Sequence, residues 1–454
     1  MNGEIANIVL GVVIAASVLG YMYQRDKRLF FPALGFFAFV ALMVSGPYVT
    51  GFFAHDPVAP TCEGCNVVII VPEVLRKDYL GVYSGVSYTP SIDAFFADAW
   101  KFTNYYGTAP WTLPSHTSML TGLYPKNHKL IHNGYNFSED IMTMAQYFAK
   151  NGYFTISLNG GGHMGADYNL TRGFSYAREL YRFENNLDIA LDTIEAFTIE
   201  PFLMLMSVYD VHDPYNRYGP VSAATGYTGV LASDPISTRS LEHTGELYVQ
   251  NIVNLSRAFV TSNQSIVTLS DEDVAYFRAR YADNVVHLDS KLKSVFDALE
   301  ARGILNNTIV VLTSNHGEEL YEHWLSHSLM YEPVMNTPLL LRIPQATKTT
   351  YTKLMSNVDL FPSLSALVGL DVPKNIDGIN IWNESHDYIF GESDIPRHKY
   401  MVTDGTYKLL VENEHFLGTI ELYNIKNDPG ENYNVYGLTG AQTYFDQITL
   451  FSRS

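Results

Sequence analysis

The segment APWTLPSHTSMLTG, residues Ala109–Gly122, is the stretch around which the rest of the chain is organised. A hydroxyl residue, Thr112, is followed by Leu113 and Pro114 and then by residues compatible with a helix. Proline is favoured in the first turn of a helix because its missing N–H has no partner there. The pattern therefore predicts a helix that starts just after Thr112. The free N–H groups and the dipole of that helix end attract anions.

Two interpretations of Thr112 are open at this point. Threonine is a common N-cap, so its hydroxyl can simply accept a hydrogen bond from the helix backbone. Alternatively, the hydroxyl is a nucleophile for a phosphate or sulfate ester. A nucleophilic hydroxyl needs a lowered pKa, which a bound divalent cation provides. Carboxylates and histidines are then the expected neighbours of Thr112.

Strands and helices alternate along the chain on both sides of this segment. The uninterrupted β-branched run Val67–Val71 is typical of a fully buried parallel strand. Further buried strands are predicted at Tyr153–Leu158, Pro201–Val208, Thr308–Thr313 and Pro338–Ile343. A long helix with a glycine stop is predicted at Ala279–Gly303. The alternation predicts an α/β fold, with a mostly parallel sheet sandwiched between helices.

Polar residues directly follow three of these strands. Glu73 follows the first strand, Tyr209–His212 follow the strand that ends at Val208, and Asn315–His316 follow the strand that ends at Thr313. In sheets of this kind, ligand-binding groups gather at the C-terminal ends of the strands. We therefore expect these side chains to converge on one site.

The first 56 residues differ from the rest of the chain. Ile5–Tyr23 and Leu29–Phe53 are long apolar runs, and each is long enough to cross a hydrocarbon core of about 30 Å. The basic loop between them, Gln24–Arg28, is expected to stay in the cytoplasm. Residues 1–56 are thus predicted to form a transmembrane hairpin, which makes this a multi-pass membrane protein with two spans and an extracytoplasmic catalytic domain.

The net charge and the cysteine content limit the partners and the cysteine chemistry that the chain can have. The chain has 454 residues and a formal net charge of −18, which argues against a nucleic-acid partner. Its two cysteines, Cys62 and Cys65, lie in the predicted linker 57–65. They are interpreted as a local disulfide or as a pair of free thiols. A metal or redox role would need further ligands that the sequence does not show nearby.

Several motifs occur in the order in which one enzyme family has them. The segment at Thr112 is similar to a signature in which a nucleophile precedes Pro-Ser-Arg and a Leu-Thr-Gly helix end. The other matching stretches are Asn66–Asp78, Thr89–Asp93, Gly122–His128, His212–Tyr215, Thr313–Glu318, Val358–Pro362 and Glu421–Gly430. Over about residues 66–435 the chain resembles the sulfatase family of the alkaline phosphatase superfamily.

The resemblance implies a metal-dependent hydrolase or transferase acting on phosphate or sulfate esters, such as those of a glycan, a lipid headgroup or a polymer. The implied ligands of one divalent cation (Zn, Mn or Ca) are Glu73, Thr112, Asn315 and His316. The implied catalytic residues are Thr112, His327 and His212. The implied substrate-binding residues are His116, His163 and Asp210. A set of Glu, Thr, Asp and His, together with a membrane anchor, is similar to phosphoethanolamine transferases and lipoteichoic acid synthases.

The chain also departs from the family pattern. Asn315 stands where relatives have a metal-binding Asp, and Gly161 stands where they have a cationic Lys. His116 replaces the signature Arg, and it either contacts the ester or has a structural role. The segment that carries Asp210 and His212 likewise either faces the substrate or is a structural turn around Pro214. Neither cysteine lies at the signature, so nucleophile formation by cysteine oxidation is excluded. A catalytically inactive sulfatase-like binding protein is the alternative to an enzyme.

The resemblance also divides the chain. It implies a sulfatase-like catalytic domain over 66–343, with an insertion at 219–271. A small C-terminal α+β subdomain is expected over 344–454, with short strands near Tyr407–Val411 and Glu421–Tyr423.

Overall fold

The computed structural model describes residues 60–133, 138–197, 199–215, 226–232, 258–260, 266–394, 398–412, 419–437 and 440–453. The chain divides into two units, Met1–Ala59 and Pro60–Ser454, and all of the described residues belong to the second. The predicted transmembrane hairpin therefore lies outside the described residues. None of the helices in the described ranges combines the length and hydrophobicity that crossing a bilayer requires.

The strands of the second unit are short and distributed along its whole length. In chain order they are β1 Asn66–Pro72, β2 Trp100–Phe102, β3 Tyr105–Tyr106, β4 Phe154–Asn159, β5 Tyr176–Glu179, β6 Phe202–Val208, β7 Ala258–Val260, β8 Ile266–Thr268, β9 Thr308–Thr313, β10 Glu319–Leu320, β11 Leu325–Ser326, β12 Leu339–Arg342, β13 Thr349–Tyr351, β14 Met355–Ser356, β15 Ile389–Ser393, β16 Lys399–Thr403, β17 Lys408–Glu412 and β18 Ile420–Tyr423.

The α-helices lie between these strands and after the last of them. In chain order they are α1 Gly81–Ser84, α2 Pro90–Phe95, α3 Thr112–Thr121, α4 Pro125–His128, α5 Met144–Lys150, α6 Phe183–Ala196, α7 Asp271–Ala301, α8 Glu332–Met335, α9 Leu360–Leu367 and α10 Gln442–Arg453.

The central sheet has eight strands in the order β13–β2–β12–β9–β1–β6–β4–β5. β1 runs parallel to both of its neighbours, with Val67 opposite Leu203 of β6 and Ile309 of β9. β12 runs antiparallel to β9 and to β2, so the sheet is mixed. The predicted α/β fold is confirmed, with one strand reversed. β12 is antiparallel to β9 because no long helix lies between them. A strand that pairs in parallel with the preceding one usually needs a helical crossover connection.

The two faces of β1 explain why its sequence is apolar without interruption. Val68 and Ile70 join one hydrophobic core, to which α6 and α7 also contribute. Val67, Ile69 and Val71 join a second core on the opposite face, together with residues of α3, α5 and α9. Because side chains alternate along a strand, a strand covered on both faces buries every residue.

Helix α7 starts at Asp271, earlier than the predicted Ala279. Ser270 precedes it and accepts a hydrogen bond from the backbone N–H of Asp273, whose carboxylate accepts one in return from the backbone N–H of Ser270. This capping box adds polar turns to the helix that the apolar pattern did not indicate. The predicted insertion 219–271 lies mostly outside the described residues.

The C-terminal part contains a separate antiparallel sheet, in the order β15–β16–β17–β18. β17 and β18 confirm the strands predicted near Tyr407–Val411 and Glu421–Tyr423. Helix α10 packs on this sheet through Ile448, which shares a small core with Val402 and Leu409. β13, although it follows residue 344, pairs with β2 in the central sheet. The exact domain boundary remains a prediction.

Candidate active site

Three neighbouring strands bring their C-terminal ends to the same edge of the central sheet. Glu73 follows β1, His316 follows β9, and His212 follows β6. Because β1 is parallel to both neighbours, these residues are brought close together, as the sequence predicts. The Nε2 atom of His316 lies 4.0 Å from Oε1 of Glu73, and both side chains are fully buried.

Thr112 completes this group from the start of α3. The helix begins at Thr112 itself, with Trp111 in the N-cap position and no side-chain cap bond. The Thr112 hydroxyl donates to Oε1 of Glu73 and lies 3.4 Å from Nε2 of His316. The hydroxyl is thus directed at a carboxylate and an imidazole. We call Glu73, Thr112, Asn315 and His316 the floor of the site.

Burial dominates the electrostatics of the floor. It raises the pKa of Glu73 to about 7, although the nearby His212 and His327 act in the opposite direction. Burial also lowers the pKa of His316 well below its usual range, and the neighbouring His327 adds to this effect. At neutral pH the floor therefore contains a partly protonated carboxyl and a neutral imidazole. The ionised fraction of Glu73 can accept a proton, whereas the lowered pKa of His316 makes its imidazole a weak base.

The donor atoms of the floor are of the types that bind a divalent cation. Among the described residues, Oε2 of Glu73 is buried without a hydrogen-bond partner. Asn315 Oδ1 accepts a hydrogen bond from the backbone N–H of His316 at 3.0 Å. In the described ranges, no three His, Cys, Asp or Glu side chains are grouped as a metal site. The floor fits a cation through one carboxylate, one imidazole and neutral oxygens, a set compatible with Zn or Mn.

Two histidines form a more exposed layer above the floor, which we call the mouth. The ring of His327 lies 4.7 Å from that of His316, and the ring of His212 lies 5.5 Å from that of His327, centroid to centroid. Their side chains are 11% and 14% exposed, whereas those of Glu73 and His316 are 0% exposed. The mouth residues are therefore more open to solvent than Glu73 and His316.

Each mouth histidine has a carboxylate partner. Nδ1 of His327 lies 3.2 Å from Oε1 of Glu318, and Nδ1 of His212 forms an ion pair with Asp213. Burial opposes protonation of His212, but the charge and hydrogen bond of Asp213 together with the charges of Glu73 and Glu318 outweigh it and raise the pKa of His212 to about 10. His212 is thus a cation at neutral pH, suited to binding an anion or donating a proton.

Two residues that support the mouth had no role in the sequence-based prediction. Glu318 lies within a quoted motif and accepts a 2.7 Å hydrogen bond from the Tyr215 hydroxyl. Arg182 is buried, and it donates to the carbonyl oxygens of His212 and Asp213 at 3.1 and 2.8 Å. Arg182 therefore holds the loop that carries His212. No local sequence pattern indicates this role, because the contact joins distant segments.

The three predicted substrate-binding residues have different surroundings. His116 is fully buried on α3, and neither ring nitrogen has a hydrogen-bond partner among the described residues. Burial lowers the pKa of His116 to about 4, so it is neutral. His163 is half-buried beside Trp111, with a ring-centroid distance of 5.7 Å. Asp210 is fully buried and accepts a bond from the first N–H of α6, which favours the structural interpretation of that turn.

A comparison with protein families now identifies the chain. The family profile described as Sulfatase matches residues 65–370, a range that contains every residue of the floor and the mouth. The chain belongs to the sulfatase family. A second profile, described as N-sulphoglucosamine sulphohydrolase, C-terminal, matches residues 321–450 of this sulfatase-family chain. Membership confirms the resemblance deduced from the motifs and indicates a sulfatase-like hydrolase of sulfate or phosphate esters.

Individual relatives are distant but cover most of this sulfatase-family chain. It is 25% identical to the Uncharacterized sulfatase YidJ of Escherichia coli (strain K12), covering 82% of each chain. It is 22% identical to the N-acetylglucosamine-6-O-sulfatase of Bacteroides thetaiotaomicron, again with 82% of each covered. The solved phosphonate monoester hydrolase of Agrobacterium radiobacter has the same fold, with a TM-score of 0.66, 20% identity, and 86% and 95% of the two chains covered.

Proposed function

We propose that Thr112 is the nucleophile of this sulfatase-family hydrolase and forms a covalent ester with the transferred group. The supporting observation is the position of its hydroxyl, which contacts the Glu73 carboxylate and lies 3.4 Å from Nε2 of His316 at the start of a helix. A hydroxyl that needs activation has both a proton acceptor and an anion-attracting helix end beside it.

The proposed reaction has two displacements. Glu73 accepts the Thr112 proton while Oγ1 bonds to phosphorus or sulfur. The bond to the leaving oxygen breaks, and that oxygen keeps the electron pair and takes a proton from His212 or His327. Water or an acceptor alcohol then attacks the phosphorus or sulfur and gives its proton to the histidine that protonated the leaving group. The bond to Thr112 Oγ1 breaks, and that oxygen recovers its proton from Glu73. Release by water is hydrolysis and release by an alcohol is transfer.

The proposal includes one divalent cation, Zn, Mn or Ca. Glu73, Thr112, Asn315 and His316 would hold it, because they supply the carboxylate, hydroxyl, amide and imidazole atoms of the floor. When bound, such a cation lowers the pKa of a coordinated hydroxyl and neutralises the approaching ester. The unpartnered Oε2 of Glu73 supports this assignment.

Among the ester classes we favour phosphate, because the nucleophile is an unmodified threonine. The test is to assay the purified full-length chain in detergent against aryl sulfate, aryl phosphate monoester and aryl phosphodiester, with each candidate metal added. We expect turnover with a phosphate ester and loss of it in Thr112→Ala. The Thr112→Ser variant keeps the hydroxyl and serves as the matched control. A Thr112→Ala variant as active as the parent would refute the nucleophile.

The proposed location is a membrane, through spans Ile5–Tyr23 and Leu29–Phe53, with the catalytic domain outside the cytoplasm. The pairing of Cys62 and Cys65 as a disulfide supports an oxidising compartment for the residues that follow. Carbonate extraction of membranes from expressing cells tests the anchor, because an integral protein stays in the pellet. Protease digestion of intact cells then tests on which side the catalytic domain lies.

One observation favours a second candidate, a catalytically inactive binding protein with the same cleft. Asn315 supplies a neutral amide where relatives supply a carboxylate, which leaves Glu73 as the only acid of the floor. An Asn315→Asp variant separates the candidates. If the parent is inert with every ester and free of metal, while Asn315→Asp binds metal and turns over, the inactive interpretation is correct.

A further inference from the structure

The residue that follows Glu73 has a backbone conformation that is rare for its type. Val74 has a φ angle of 56°, which lies in the left-handed region. A β-branched side chain is an outlier there, because its Cβ comes too close to a carbonyl oxygen of the backbone. Val74 is fully buried and packs in the same core as Val68 and Ile70. Such a conformation persists only where the surrounding structure fixes it.

The hydroxyl of Ser314 fixes the chain on both sides of Glu73. Its Oγ lies 2.9 Å from the carbonyl oxygen of Pro72 and accepts a hydrogen bond from the backbone N–H of Leu75 at 3.1 Å. The same Oγ lies 2.7 Å from the carbonyl oxygen of His316, so its proton can be donated to either carbonyl. Ser314 is fully buried. One side-chain atom therefore connects the backbone around Glu73 to that of His316.

The hydroxyl of Tyr281 fixes the second half of the same turn. It donates to the carbonyl oxygen of Val74 at 2.6 Å and accepts from the backbone N–H of Arg76 at 2.9 Å. Tyr281 is fully buried on α7, far from the turn in sequence. Buried backbone groups need hydrogen-bond partners, and here side chains from two distant segments supply them. We call Ser314 and Tyr281 the anchors of the turn.

The anchors connect the conformation of Val74 to the aim of the proposed proton acceptor. The Glu73 carboxylate contacts the Thr112 hydroxyl, and this contact depends on the backbone direction at Glu73. Without the anchors, Val74 would relax to a negative φ and rotate the peptide group that joins it to Glu73. A displacement of about 1 Å in a reacting group can lower a rate about 100-fold.

We propose that the anchors, Ser314 and Tyr281, are positioning residues for catalysis. They hold Val74 in its left-handed conformation, which directs the Glu73 carboxylate at the Thr112 hydroxyl. This inference rests on the proposed function and deepens it, because it assigns the alignment of the proton acceptor to two residues outside the floor and the mouth. The anchors take no part in bond breaking.

Steady-state kinetics of full-length variants test the positioning, with an ester that the parent turns over. Ser314→Ala and Tyr281→Phe should each lower kcat about 10- to 100-fold with little change in KM, because each removes one anchor and leaves Glu73 and Thr112 in place in the sequence. A purely structural role would lower the melting temperature and leave the kcat of the folded protein unchanged.

Matched controls remove equivalent hydroxyls elsewhere. The Tyr83 hydroxyl donates to the carbonyl oxygen of Leu339 at 2.7 Å and accepts from its backbone N–H at 3.0 Å, as Tyr281 does in the turn. The buried Ser363 hydroxyl likewise lies between the carbonyl oxygen of Ile379 and the backbone N–H of Ile381. Tyr83→Phe and Ser363→Ala should therefore keep the kcat of the parent.

Val74→Gly tests the strain itself, because glycine adopts the left-handed conformation at no steric cost. In the Val74→Gly background, Tyr281→Phe should lower kcat by a factor at least about 3-fold smaller than in the parent, since the turn no longer has strain to release. Val74→Ala also removes the buried side chain but keeps a Cβ. Val74→Gly should melt about 1 °C or more above Val74→Ala, the reverse of the usual order of these residues.

Three results would overturn the inference. One is an unchanged kcat in both anchor variants, and another is an equal effect of Tyr281→Phe with and without Val74→Gly. The third is a Val74→Ala variant that melts above Val74→Gly. If Ser314→Ala does not fold, Tyr281→Phe and the two Val74 variants decide. Failure of the proposed function appears separately, as a parent that turns over no ester of any class, and the melting order then decides whether Val74 is strained.

Discussion

The fold builds two groups of histidines and carboxylates in different ways. One is the floor, and the other, which we call the rim, is formed by His132, Glu392, Asp394 and His398. The floor forms where β1 and β9 end side by side, so Glu73, Asn315 and His316 are fully buried and positioned by the central sheet, with Thr112 added from α3. The rim joins His132, after α4, to Asp394, after β15. Its side chains remain partly exposed. The sheet thus buries one group of ionisable side chains, whereas loops leave most of the other partly open to solvent.

The largest effect expected from this comparison is the loss of activity in Glu73→Gln. The amide keeps the size of the side chain but cannot accept the Thr112 proton, so kcat should fall by about 10³-fold or more. Asp394→Asn in the rim should leave kcat nearly unchanged, because this carboxylate pairs with His132 and His398 rather than with the floor. Steady-state kinetics with an ester that the parent turns over separate the two. A Glu73→Gln variant with altered KM alone would remove the distinction between floor and rim.

The same substitution should have the opposite effect on stability. The pKa of Glu73 is raised from 4.5 to about 7 by burial, so the folded chain holds its proton more tightly than the unfolded chain. The resulting cost is absent below pH 4.5, grows up to pH 7 and is complete above it. In chelator-treated protein, Glu73→Gln should therefore be more stable than the parent at pH 8 by up to about 3 kcal/mol. Urea unfolding at pH 4.5 and pH 8 measures this, and a less stable variant at pH 8 would contradict the prediction.

Much of the floor was predictable because its causes are local. The run Val67–Val71 indicates a buried strand, and Thr308–Thr313 matches β9 residue for residue. Polar residues directly after such strands share one edge of the sheet, and this places Glu73 and His316 together. The proline pattern placed Thr112 at a helix start but left its hydroxyl as either a cap or a nucleophile, and the resemblance to the sulfatase signature favoured the nucleophile. The strand assignments and the positions of Glu73 and His316 need only the spacing of apolar residues in the sequence and the direction of each strand.

The supports of the site and the rim were not predictable in this way. Arg182 holds carbonyl groups of the loop after β6, and Glu392 bonds to the loop before Thr112, and both contacts join segments far apart in sequence. The direction of β12 also depends on its sheet neighbours rather than on its own pattern. Side chains that interact across such distances leave no periodic signal. Their roles become visible only with coordinates.

The mouth offers an intermediate test between the floor and the rim. Glu318 contacts Nδ1 of His327 and accepts from Tyr215, so it acts as a positioning residue. Glu318→Gln should lower kcat about 10- to 100-fold with little change in KM, because His327 loses its orientation. Tyr215→Phe removes one bond to Glu318 and should have a smaller effect in the same direction. A change in KM alone, or in thermal stability alone, would show that Glu318 has a purely structural role.

The smallest effect is expected at a histidine–carboxylate pair outside all three regions. Nε2 of His386 lies 2.9 Å from Oδ2 of the buried Asp359. Burial alone lowers the pKa of His386, but the bond and charge of Asp359 outweigh it and raise the pKa above 6.5. The pair therefore stabilises the fold fully below pH 6.5, and this stabilisation is lost as pH rises through the folded-state pKa. His386→Asn should cost about 1–2 kcal/mol at pH 6 and less at pH 9, with kcat unchanged at both. Urea unfolding at the two pH values measures the difference. A cost that does not change with pH would show that packing, rather than charge, holds the pair together. In that case, contact with a carboxylate would not be enough to show that a histidine of this fold, such as His212 in the mouth, is charged.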